Sequence, residues 1–299
     1  MKKWILLFLA LSALNGFVFI FRESFQYTKY STYADLYAAC DAKCRDKWDD
    51  YMRPYSAASI AEARRLLMPL GLDLGTSLSK ITAISNHLYT RFHKQGGYPQ
   101  DTIHRSEPVL QYKILSADTT QRIWCGTYAQ MFSFFCWSQN IVCRNLEINK
   151  PGDHHILNEC YLPEINQWVM VDVTNNTAAA ALNDKLLNTQ DFVKALQAPA
   201  SLLILTAGDT TWSSYTKFKN KNATDQYYQN RYAYHYYNAT QPAVLYRPAA
   251  KLKRYFLPDY WYEIYSPTGK TNILFYGKLF LAVLWLTLAG TIIFKFFIK

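Results

Sequence analysis

Several things are missing from these 299 residues, and each absence closes off a class of protein. Basic residues outnumber acidic ones, 32 to 22, yet no stretch gathers them into a face. Nucleic-acid binding needs a concentrated basic patch. The nearest candidate, Lys217-Phe218-Lys219-Asn220-Lys221, reads as a solvated loop. With the four terminal lysines set aside, the net charge of +10 falls to +6, spread along the chain. Such an excess suits weak attraction to anionic lipid or to an envelope polymer, and no nucleic acid is expected as a partner. Cys143, His154, His155 and Cys160 lack the close paired spacing of structural zinc ligands, so no metal is expected there, nor any cofactor. No small-x-small cleavage motif follows the first apolar run, where Phe19-Ile20-Phe21-Arg22 is bulky.

That run is the first positive feature. Met1-Lys2-Lys3 precedes Trp4 to Phe21, which is uncharged and long enough for a short membrane span. The other end repeats it: Leu279 to Phe294 is uncharged and apolar, and Ile273 to Tyr276 extends it past Lys278, which can snorkel. Two spans put both termini on one side of the membrane. Lys2, Lys3, Lys295 and Lys299 mark that side as cytoplasmic, with the central region outside. Tyr255-Phe256, Tyr260-Trp261-Tyr262 and Tyr265 read as an interfacial aromatic belt before the second span.

Between the spans the pattern is α+β. Residues 30–70 read as two helices, one striped by Tyr33, Leu36, Tyr37, Cys40 and Cys44, the next by Ile60, Ala63, Leu66 and Leu67. Ser77 is placed to cap a third helix reaching Arg91. Residues 100–122 read as polar connecting sequence. From Cys125, Ala129, Phe132, Cys136 and Ile141 recur near a helical period. Ile141 to Ile148 alternates as a strand, Pro151-Gly152 turns the chain, and strands His154–Leu162 and Trp168–Thr174 follow. Asp184 to Leu196 reads as a helix and Ser201 to Thr206 as a further strand. Residues 207–270 are then rich in Tyr, Asn and Thr, as a β or loop extension packing on the core. A helix thus delivers Cys125 to the edge of an antiparallel meander bearing His155 and Asp172, the parts of a Cys-His-Asp nucleophilic site. His154 and His155 point to opposite faces, so only one of them serves.

At these residues the chain resembles the transglutaminase-like superfamily, as a membrane-anchored, bacterial-type member. The matching features are Cys125 with Ala129 and an aromatic helix, and Arg144 after a short strand. His155 with Glu159 four residues on, and Trp168 with Asp172 four on, complete the match. Leu157 stands where an aromatic residue is usual, Val173 where proline is common, and no glycine precedes Cys125. The resemblance covers residues 78 to 200 and implies a papain-like core: a Cys-bearing helix packed on an antiparallel sheet. The organisation expected is an N-terminal anchor (1–21), a helical lead-in (22–76), a transglutaminase-like domain (77–206), a Tyr-rich extension (207–270) and a C-terminal transmembrane helix (271–299).

The chemistry expected is thiol acyl transfer. Cys125 attacks an amide and His155 carries the proton. Asp172 holds the ring, and the Cys125 N–H donates to the oxyanion. A second oxyanion donor is sought among Trp124, Gln111 and Tyr112. The substrate class is a protein or cell-envelope peptide, resolved by water or an amine. The alternative is a catalytically silent scaffold in an envelope assembly complex. Of the remaining cysteines, Cys136 reads as core. Cys40 and Cys44 lie one turn apart, with Cβ directions awkward for a bridge in a regular helix. Cys143 faces Cys160 only if Ile148 pairs with His155.

Overall fold

The helix that starts at Cys125 is apolar on every side, and the other layers of the protein are laid around it. A computed structural model describes residues 2–21, 29–49, 55–150, 153–228, 233–237, 262–267 and 273–297. In chain order, α1 (Lys2–Ile20) leads to an edge strand, β1 (Lys29–Ser31), and short helices α2 (Tyr33–Leu36) and α3 (Ala42–Asp49). Then come α4 (Ala57–Leu67), α5 (Ser77–Phe92), α6 (Asp101–His104), α7 (Pro108–Ala117) and α8 (Cys125–Ser138). The meander β2 (Cys143–Lys150), β3 (Asp153–Leu162) and β4 (Gln167–Val171) follows. A second sheet takes β5 (Thr177–Leu182) and β6 (Lys185–Leu186), then, after α9 (Thr189–Ala195), β7 (Leu202–Thr206) and β8 (Trp212–Ser214). Last are α10 (Lys221–Tyr228), β9 (Ala233–Tyr237), β10 (Tyr262–Tyr265) and α11 (Ile273–Phe297).

The six-stranded sheet runs β1-β10-β9-β2-β3-β4, antiparallel except for β1 on β10. The second sheet runs β6-β5-β7-β8. In α8, residues from Gly126 to Ser138 are buried except Gln130, because α4, α5 and α7 cover one side and β2–β3 the other. Asn140 ends that helix in the left-handed region, φ 61°. The Ile141 N–H reaches back to the Cys136 carbonyl and Asn140 to Trp137, a Schellman closure. Ile141, expected on the helix stripe, therefore lies beyond the helix end.

Other expectations need correction. The single helix through Tyr33 and Cys44 is broken at Tyr37–Asp41, because Thr32 and Asp35 close a capping box on one turn and Asp41 starts α3 by accepting from the Cys44 N–H. The break frees Cys40 from helical geometry. It forms a disulfide with Cys44, Cα–Cα 5.0 Å. Thr76 rather than Ser77 caps α5, its hydroxyl accepting from Ser79 N–H. Residues 100–122 are not merely connecting sequence: Pro108 opens α7, which buries Val109, Tyr112 and Leu115. Asp184–Leu196 is not one helix. Asn183 and Asp184 both take positive φ, which makes a two-residue hairpin between β5 and β6, and Asn188 caps a shorter α9. The Pro151-Gly152 turn lies outside the described residues, as does most of the aromatic belt, Tyr255 to Trp261.

α1 and α11 are long and apolar enough to cross a membrane, by length and composition. They pair antiparallel: Lys295 sits over Trp4, Phe8 stacks on Trp285 at 5.4 Å, and the Trp285 indole donates to Ser12 Oγ. Lys278, expected to snorkel, is buried.

Candidate active site

Three elements converge on one point. Cys125 is the first residue of α8 and half-buried. Its N-cap, Trp124, makes no side-chain cap bond, and the first turn holds no acidic residue. The helix therefore opens with uncapped N–H groups and an unneutralised positive dipole end, directed at the thiol. Gly126 keeps that start narrow: a Cβ there would lie 3.3 Å from Trp124 Nε1 and 3.4 Å from Ile156 Cδ1.

His155 comes from β3. Register pairs Ile148 with His155, which turns His155 inward and leaves His154 exposed. Asp172 stands just past β4, held by a reciprocal backbone pair with Thr177 that joins the two sheets. His155 Nε2 and Asp172 Oδ2 are 2.8 Å apart, both side chains essentially without solvent exposure. Among the described residues, the other ring nitrogen, Nδ1, is buried with no oxygen or nitrogen partner. Cys125 lies against the ring and its sulfur favours the charged form. Burial works against that charge, but the Asp172 carboxylate outweighs it and, with the sulfur, lifts the imidazole pKa to about 10. Burial likewise opposes charge on Asp172. His155⁺ together with donors from Asn175 and Tyr228 holds its carboxyl below the usual range.

Two residues absent from the expected set complete this arrangement. Asn175 Nδ2 donates to Asp172 Oδ2 at 2.7 Å, and the Tyr228 hydroxyl donates to the same oxygen at 2.8 Å. A third, Tyr227, stacks on the His155 ring at 4.3 Å between centroids. Asn175 sits on a turn, where the tertiary course of the chain decides its contacts. Tyr227-Tyr228 stood out in sequence only as part of a Tyr-rich region more than fifty residues downstream. Of the three oxyanion candidates, two are committed elsewhere: Gln111 donates to Gln130 and the Tyr112 hydroxyl bonds His87 Nε2. Trp124 Nε1 is buried beside Gly126 with no partner among the described residues, in an aromatic group with Tyr98, His104 and His154.

Glu159, four residues along β3, does not touch His155. It ion-pairs with Arg144 at 2.6 Å and accepts from the Tyr37 hydroxyl and the Thr189 N–H. Arg144 also donates to the Leu36 carbonyl and lies between the rings of Trp168 and Tyr236. The pair ties the lead-in segment, the meander and α9 together. The zinc set weighed from sequence does not assemble: His154 and His155 lie at the far end of the hairpin from Cys143 and Cys160. Cys136 joins those two cysteines instead, the three sulfurs lying within 4.8 Å of one another.

Compared with protein-family models, with curated proteins and with solved structures, the chain matches none of them.

Proposed function

We propose that the protein is a membrane-anchored thiol acyl-transfer enzyme of transglutaminase-like type, its core papain-like. The observation that carries this reading is a fully buried imidazole with a carboxylate on one nitrogen and a helix-start thiol against its ring. Cys125, as thiolate, attacks a substrate amide carbonyl; the oxyanion that forms accepts from the Cys125 N–H, with the Trp124 indole as the candidate second donor. The imidazolium gives its proton to the departing amine, leaving a thioester on Cys125. Water or a second amine, deprotonated by His155, resolves it. Asp172 keeps the ring oriented and stabilises its charge throughout. The substrate is a protein or an envelope peptide, met outside the cytoplasm by a domain tethered through α1 and α11, with both termini inside.

One observation favours a second reading, a catalytically silent scaffold in an envelope assembly. Tyr227 stacks directly on the His155 ring, and α10 lies across the triad.

A thiol-reactive, membrane-impermeant probe applied to whole cells separates the two readings. The enzyme reading expects Cys125 to label faster than any other cysteine and from the outside. Equal labelling of wild type and Cys125→Ala would remove it.

A further inference from the structure

The three buried cysteines beneath α8 have no part in the proposed chemistry. Cys136 lies eleven residues along α8 from Cys125, about 16 Å at helical rise. Cys143 and Cys160 are directly opposed on β2 and β3. At the neighbouring pair the Tyr161 N–H donates to the Val142 carbonyl at 2.9 Å. Alternation then makes Cys143 and Cys160 a non-hydrogen-bonded pair, in which Cα atoms stand about 4.5 Å apart and side chains come closest. That lies within the Cα range a disulfide tolerates. All three cysteines are buried, Cys136 and Cys160 completely. The structure closes one disulfide, Cys40–Cys44, and holds Cys136, Cys143 and Cys160 as free thiols.

A soft cation held by three thiolates would also fit sulfurs this close. It would leave net negative charge in a site closed to water, where uncompensated charge is costly. It would also place that charge in the last turn of α8, the negative end of the helix dipole. A disulfide is neutral and needs neither compensation.

We infer that Cys143 and Cys160 form a cross-strand disulfide that staples the hairpin carrying His155, leaving Cys136 and Cys125 as free thiols. The reaction needs an oxidant, here a disulfide donor such as an oxidised dithiol catalyst or glutathione disulfide. It occurs before α8 closes over the hairpin. One thiolate of the pair displaces one sulfur of the donor, forming a mixed disulfide. The other thiolate then displaces the second. Two thiol protons are lost, two electrons pass to the donor, and it departs as the reduced dithiol.

The test uses the full chain, extracted from membranes into detergent, denatured without reductant and blocked with N-ethylmaleimide before digestion. Trypsin cuts after Arg144 and so separates the two cysteines unless they are bonded. The expected result is a linked peptide pair 2 Da lighter than its reduced parts, with the link at Cys143 and Cys160 and the label on Cys125 and Cys136. Cys136→Ala keeps the link. Label on both Cys143 and Cys160 overturns the inference. So does a link through Cys136, or an equivalent of metal retained by three unlabelled thiols. The wild-type peptide map decides the matter alone if the variant misfolds.

Discussion

Two ion pairs stand on β3 four residues apart, on the same face and equally buried, yet they are built for different ends. Arg144–Glu159 is saturated: the guanidinium binds a carboxylate, a carbonyl and aromatic faces, and the carboxylate also accepts from Tyr37 and Thr189. His155–Asp172 is saturated on the carboxylate side only, where Asn175 and Tyr228 join the histidine. The imidazole keeps one nitrogen that, among the described residues, has no oxygen or nitrogen partner, and the Cys125 thiol lies against the ring. Equal burial with unequal satisfaction separates a structural tie from the pair proposed to react. A group that already has all its partners has nothing left to exchange with a substrate.

The largest break in this comparison is expected at the open pair. Cys125→Ser changes one atom, and Asp172→Asn preserves shape while removing the charge that stabilises the imidazolium. Either variant should accumulate normally in the membrane. Asp172→Asn should lose up to roughly 10⁴-fold in turnover or probe labelling, by analogy with the serine triad. Full complementation of a deletion strain by both variants would favour the scaffold.

At the closed pair the cost should fall on stability. Glu159→Leu strands a buried guanidinium, an effect of about 3–5 kcal/mol. Denaturant melts in detergent should show it, and the fraction that remains folded should still label at Cys125. A loss of labelling per folded molecule would mean that the two pairs are coupled.

Tyr228→Phe removes one donor from Asp172, worth about 1.5–3 kcal/mol for a bond to a charged group. It should raise the Asp172 pKa, measured by NMR titration of the carboxyl carbon. The sign of the pH dependence follows from both shifts. A raised histidine contributes fully below its unfolded pKa of about 6.5, then less as pH rises, and nothing beyond about 10. The depressed Asp172 contributes above its unfolded value of about 3.9 and loses that contribution as pH falls through its folded value. The stability advantage of wild type over Asp172→Asn should therefore be widest near pH 4–6.5 and decline on both sides. A difference that grows toward pH 10 would refute the charged pair.

The smallest effect belongs to the ring that lies over the site. Tyr227→Ala uncovers one face of His155 and should speed alkylation of Cys125 by a few-fold, with little change in melting temperature. Slower alkylation would mean that Tyr227 holds the imidazole in place rather than covering it.

Much of this arrangement was legible in the chain because it is local. A continuous apolar run following Cys125 and alternation through β2 and β3 depend on neighbours a few residues away. The facing of Cys143 and Cys160 was a conditional reading, and Ile148 opposite His155 satisfies it. β5 escaped because Ala178 to Ala181 have no β preference. That strand exists because those small side chains are buried between α5 and the sheets, a matter of packing rather than propensity. α7 escaped because its polar members, Gln111 and Ser116, hid the spacing of Val109, Tyr112 and Leu115.

By itself the sequence determined the mixed α+β composition, the two apolar terminal helices and the order in which Cys125, His155 and Asp172 reach their elements. Each follows from periodicity and side-chain polarity, which act over one or two turns of chain. Only the tertiary structure decided that Tyr228, 56 residues beyond Asp172, bonds its carboxylate, and that Cys136 meets Cys143 and Cys160. It also decided that β9 enters the sheet beside β2. Such contacts are chosen by the burial of whole faces against one another. No local pattern encodes which distant residue will fill the remaining hydrogen bond.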